Sequence, residues 1–74
     1  MTPMQKFLFV ALMCMDQRRP LPAIGVWRKG IGLGDYMACK VRKKAYANKW
    51  ITLGPRRIVI EVRLCAEDAA VLLA

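Results

Sequence analysis

Between Leu33 and Leu64 the spacing of apolar residues changes period, and that change limits the folds open to this 74-residue chain. As far as Asn48 the apolar and cationic side chains recur every three or four residues, as on an amphipathic helix; from Trp50 they alternate with a period of two. A helix that gives way at once to strands excludes an all-helical bundle, and the expected fold class is α+β. Trp50–Leu53 reads as a first strand. Gly54-Pro55-Arg56-Arg57 reads as a turn, and Ile58, Ile60, Val62 and Leu64, alternating with Val59, Glu61 and Arg63, as a second strand with one face in the core. Arg56 and Arg57 would then stand at an exposed hairpin tip, placed to grip phosphates.

The helix before the hairpin spans about 35–48. Asp35 is suited to cap it, and Asn48 to end it in the left-handed conformation. At about 100° per residue, Met37, Ala38, Val41 and Ala45 share one side with the stem of Lys44. Cys39, Arg42, Lys43 and Tyr46 point the other way, flanked by Tyr36 and Lys40. An ordinary solvated helix intersperses acids that pair with its cations at i, i+4, yet from Tyr36 to Leu53 there is none. That absence favours a binding face over a merely solvated one.

Around this segment the chain reads as support. Thr2-Pro3 resembles a helix start, and Phe7, Leu8, Ala11, Leu12 and Met15 give the stripe of a helix over Met4–Gln17 that is buried on most sides. Lys6 followed by FLFVALMCM is too short to span a bilayer, and Asp16, Gln17, Arg18 and Arg19 follow it in place of a cleavage site, so neither a signal peptide nor membrane insertion is expected. Pro20 and Pro22 hold the chain extended around Leu21. A short helix over Ala23–Gly30 would be held by Ile24, Val26, Trp27 and Ile31, with Arg28 and Lys29 facing out. Gly30, Gly32 and Gly34 read as a turn, because a dinucleotide fingerprint needs glycine where Asp35 stands. A last helix follows Leu64, with Glu67 and Asp68 in its first turn.

Composition settles the partner class. Lys and Arg number 13 against 5 acids, and a net charge of +8 on so short a chain points to polyanions. With 57% hydrophobic residues the charge sits on a folded domain, expected to span 1–74, and not on a disordered tail. Three widely spaced cysteines and no histidine exclude a disulfide framework and make a poor zinc site, which implies a reducing, cytoplasmic setting without metal or cofactor. Without histidine or paired acids there is no catalytic constellation, and an enzyme is not expected. Spare apolar surface over 4–17 and 71–74 implies a homodimer.

The order of elements resembles the winged helix-turn-helix domain of MarR-like regulators. The resemblance lies in RRPLPAIGVWRKGIGL as first strand and second helix, GIGLGDYMACKVRKKAYANKWI as turn and recognition helix, ITLGPRRIVIEVRL as wing, and LCAEDAAVLLA as the helix after it. It covers nearly the whole chain as a pattern of order and spacing; Arg28 departs from it where a small residue is usual, and Cys65 replaces a hydroxyl cap. What it implies is a small DNA-binding regulator of transcription with helix 35–48 in the major groove of double-stranded DNA. Tyr36, Cys39, Lys40 and Lys43 would lie nearest the base edges, with Arg42 and Tyr46 toward the backbone. Arg56 and Arg57, at the wing tip 54–57, would hold the minor groove or its phosphates, and Arg28 and Lys29 would anchor beside helix two. The same charge would also serve structured RNA or a ribosome, and the same fold an interaction or inhibitor module of viral or plasmid type.

Overall fold

Thr2 starts the first helix by exchanging hydrogen bonds with Gln5. In the computed structural model, which describes all residues from Met1 to Ala74, Thr2 Oγ1 accepts from the Gln5 N–H at 3.1 Å and Gln5 Oε1 accepts from the Thr2 N–H at 2.9 Å. Helix α1 (Pro3–Gln17) is the element on which the others pack, through Phe7, Leu8, Ala11 and Cys14. It is not buried on most sides. Phe9 and Met13 are 40% and 43% exposed, because every other element reaches the helix from one side and a chain this short cannot surround it.

Helix α2 (Ile24–Gly30) is held chiefly by Trp27, whose ring centroid lies 4.4 Å from that of Phe7. Ile24 and Ile31 assist at i−3 and i+4, whereas Val26 is 64% exposed and takes no part. Lys6 Nζ reaches Ile31 O at 3.5 Å, a weak tie at the carbonyl end of α2.

Helix α3 (Asp35–Ala47) has Gly34 as its cap residue. Asp35 is instead the first helical residue, and its carboxylate turns to Arg28. Nor does Asn48 supply the left-handed exit: its φ is −90° and its Nδ2 donates to Lys44 O at 2.8 Å, while Lys49, at φ 59°, makes the turn.

Strands β1 (Ile51–Leu53) and β2 (Val59–Val62) form an antiparallel hairpin closed by a 3-10 turn over Pro55–Arg57. Ile51 faces Val62 and Thr52 faces Glu61, but Leu53 faces Val59, so Ile60 is an extra residue in β2. That bulge inverts the expected alternation. Val59 is buried and Ile60, 60% exposed, points to solvent. An isolated bridge joins Pro20 to Ile58, and the Leu21 N–H donates to Arg57 O at 2.9 Å, so the extended 20–22 segment runs along the edge of β2.

Helix α4 (Ala66–Leu72) begins at Cys65, whose Sγ accepts from the Asp68 N–H at 3.4 Å. Gln5 Nε2 donates to Asp68 Oδ1 at 3.0 Å, so one buried glutamine both caps α1 and ties α4 to it. The result is a four-helix α+β domain with one two-stranded hairpin. No helix is long and apolar enough to cross a membrane.

Candidate nucleic-acid interface

Ala38, Val41 and Ala45 are the buried residues of α3, and two alanines among three contacts let its backbone come close to the core. The opposite side therefore carries Tyr36, Lys40, Lys43 and Ala47, with Lys44 beside them, all exposed. This outward face is turned by roughly a quarter-turn from the one expected on the wheel. Cys39, Arg42 and Tyr46 fall on a half-buried flank. The Tyr46 ring packs against the core and its hydroxyl is enclosed without a hydrogen-bond partner, because β1 returns beside that flank of the helix. Tyr46 is thus a packing residue more than an outward contact.

The outward face is cationic and aromatic together. Lys40 Nζ lies 6.0 Å from the Tyr36 ring centre and Lys44 Nζ 5.9 Å from that of Trp50, distances at the outer limit for a cation on an aromatic face. Of the 13 Lys and Arg side chains only Arg28 has a carboxylate within 4.0 Å.

Arg28 is drawn into the fold. Its Nε lies 2.7 Å from Asp35 Oδ1, an ion contact in which the N–H is not aimed along a hydrogen bond, and its Nη1 donates to Leu33 O at 3.4 Å. With Asp35 85% exposed this pair adds little stability, but it spans the glycine turn and holds α2 against the start of α3. Lys29, its neighbour, is exposed.

The two hairpin arginines part ways. Both have left-handed backbones, with φ 57° at Arg56 and 61° at Arg57. Arg57 folds back: Nε donates to Leu21 O at 3.0 Å and Nη2 to Pro22 O at 3.2 Å, which latches the wing to the 20–22 segment. Arg56 is exposed and its guanidinium bonds nothing in the chain. Arg18 and Lys49 share the left-handed conformation, but each follows a helix C-terminus, where a cation suits the negative end of the dipole. Arg56 and Arg57 are the two central residues of the hairpin turn, which the Ile58 N–H closes onto Pro55 O at 3.2 Å, and a tight hairpin turn requires left-handed backbone at both.

Sequence reasoning passed over Lys44 and Lys49. Lys44 was placed with the apolar side because of its stem, and Lys49 lay beyond the expected end of the helix; the acid-free run from Tyr36 to Leu53 includes both.

The three cysteines are free and differ in environment: Cys14 is buried, Cys39 half-buried and Cys65 exposed. Burial raises the Cys14 thiol pKa, with Arg19 pulling weakly the other way. Being protonated in both folded and unfolded chains at neutral pH, this thiol contributes its full stabilisation there and loses it as pH climbs past the ordinary thiol range. Alkylation at pH 8 followed by mass spectrometry is therefore expected to label Cys65 first, Cys39 next and Cys14 last. Early labelling of Cys14 would mean that α1 opens readily. No three Cys, Asp or Glu side chains gather in a way that could hold a metal ion.

Comparison with protein-family models, with curated proteins and with solved structures finds no match to this chain.

Proposed function

We propose that the protein binds double-stranded DNA as a small winged helix-turn-helix domain. Helix α3 enters the major groove and the wing tip 54–57 lies on the flanking minor groove or its phosphates. The observation that carries this reading is the acid-free outward face of α3, where Tyr36, Lys40, Lys43 and Lys44 stand together opposite the alanines that dock the helix. Tyr36 and Lys40, in the first half of the helix, suit base edges; Lys43, Lys44 and Lys49 suit the phosphate track. The α2–turn–α3 unit spanned by Arg28, the hairpin beside it, and the Pro20–Ile58 bridge standing in for a first strand agree with this layout. Regulation of transcription is the use that such a reader would serve.

Arg56 adds a second line of support. A left-handed non-glycine residue costs about 1–2 kcal/mol; the hairpin turn needs that backbone at Arg56, but the side chain bonds nothing in the chain. An arginine standing where glycine or asparagine is the favoured residue leaves a free guanidinium at the tip, suited to a phosphate.

Fluorescence anisotropy on a labelled duplex library at low salt is the test. Lys43→Glu is expected to weaken binding at least about tenfold with an unchanged urea midpoint, since one phosphate contact becomes a repulsion. Arg56→Gly should weaken binding severalfold while leaving stability equal or up to about 1 kcal/mol higher, as glycine relieves the backbone. A wild-type protein that binds no duplex under these conditions would sink the proposal.

A further inference from the structure

Away from the basic surface, a groove of about 700 Å³ opens between α1, the start of β2 and α4. Its walls are apolar: Phe9, Leu12, Met13, Leu72 and Leu73 line it, and Leu73 is 67% exposed. We infer that the groove is filled by a second copy of this chain, with the α1 and α4 faces of two protomers packed about a two-fold axis.

Three observations select this occupant. The first is the partition of charge. On a chain of net charge +8, no Lys or Arg occurs between Lys6 and Arg18, and none from Leu64 to Ala74, whereas Asp16, Glu67 and Asp68 all lie on α1 and α4. Two such molecules meet best where most of their cations are turned away, and in the lining of this groove Arg18 is balanced by Asp16 as the only other charge.

The second is self-complementarity. Asp16 and Arg18 both line the groove, and neither has an ionic partner in its own chain. Asp16 lies in the last turn of α1 and Arg18 follows the helix as a left-handed cap, and their charged groups do not come within 4.0 Å of each other. In a two-fold interface residue i meets residue j and j meets i, so an Asp16–Arg18 pair formed between protomers forms twice. A foreign apolar helix could fill the groove but would need an unrelated acid and base to match both.

The third is size. A stable interface covers about 800 Å² per partner. The domain measures 27 × 27 × 22 Å, so one broad face is of that order. Exposed Phe9, Met13 and Leu73 put large apolar side chains there. This inference does not rest on DNA binding and stands or falls separately.

Sedimentation equilibrium on the full chain from micromolar to millimolar concentration is the test. The expected result is a rise from 8.4 kDa to twice that mass. Met13→Glu, at an exposed position, should weaken association at least about tenfold, because the symmetric contact buries two unpaired carboxylates. Asp16→Arg and Arg18→Asp should each weaken it, and the double variant D16R/R18D should restore it. Far-UV circular dichroism confirms that each variant stays folded. A wild type that remains at 8.4 kDa throughout, a Met13→Glu protein that associates as tightly as wild type, or a double variant no better than the singles would each overturn the proposal.

Discussion

Phe7→Ala is expected to remove between about a quarter and all of the stability of this domain. Phe7 is fully buried on α1, and its ring meets the only buried aromatic side chain of α2, Trp27. Truncating a buried phenylalanine costs about 3–5 kcal/mol, the lost transfer energy plus the cavity left behind. A domain of 74 residues has roughly 4–11 kcal/mol in total at the usual stability per residue. The loss therefore reaches the scale of the whole, and α2 has little else to hold it: it is 7 residues long, too short to be helical by itself. Urea denaturation followed by far-UV circular dichroism and by tryptophan fluorescence should show the midpoint falling by at least about a quarter, with the native Trp27 signal weakened before any urea is added. Val26→Ala, on the same α2 but 64% exposed, is the control and should move the midpoint by no more than about 0.5 kcal/mol equivalent. Equal midpoints for the two variants would show that the Phe7–Trp27 contact does not organise the core.

What could be read ahead of the structure follows the range of the forces involved. The start of α1 was legible because Thr2 and Pro3 act within one turn; the partner role of Gln5 was not. The glycine turn before α3 and the position of the hairpin were legible for the same reason. The phase of β2 was not: nothing local marks Ile60 as the extra residue, and the bulge arises where Leu53 pairs with Val59 while Thr52 keeps Glu61. The rotation of α3 was misjudged because a wheel weighs Met37 and the stem of Lys44 alongside the alanines, whereas close approach to the core selects Ala38 and Ala45. Among the candidate contacts, the run of charge was visible but not which cations the fold itself uses. Arg57 bonds carbonyls 35 and 36 residues away, and no local pattern announces such a partner. Arg28 was read as facing out because its partner, Asp35, was expected to cap the next helix. The acid-free stretch proved more informative than any single residue in it, since it also covers Lys44 and Lys49.

Between 50 and 200 mM salt, affinity for duplex DNA is expected to fall roughly a thousandfold, and the slope of that fall counts the residues that matter. Lys29, Lys40, Lys43, Lys44, Lys49 and Arg56 are exposed and have no acidic partner. If each neutralises one phosphate, log affinity falls with log salt at a slope near −5, at about 0.9 per contact, and a fourfold rise in salt gives the thousandfold loss. The slope also separates contacts from scaffolding. Lys49→Ala or Lys44→Ala should make it shallower by about 0.9, because one fewer counterion is released on binding. Arg57→Ala removes as much charge, but from a guanidinium already given to Leu21 and Pro22; it should lower affinity through a loosened wing and leave the slope unchanged. Arg28→Met should likewise preserve the slope, its charge being spent on Asp35. Anisotropy titrations at four or five salt concentrations would read all of these. An affinity flat with salt would dispose of polyanion binding altogether. Slopes that fell equally on loss of Arg57 and of Lys49 would mean that the wing releases its latch on DNA, so that the strained turn at Arg56 and Arg57 is itself remodelled by binding.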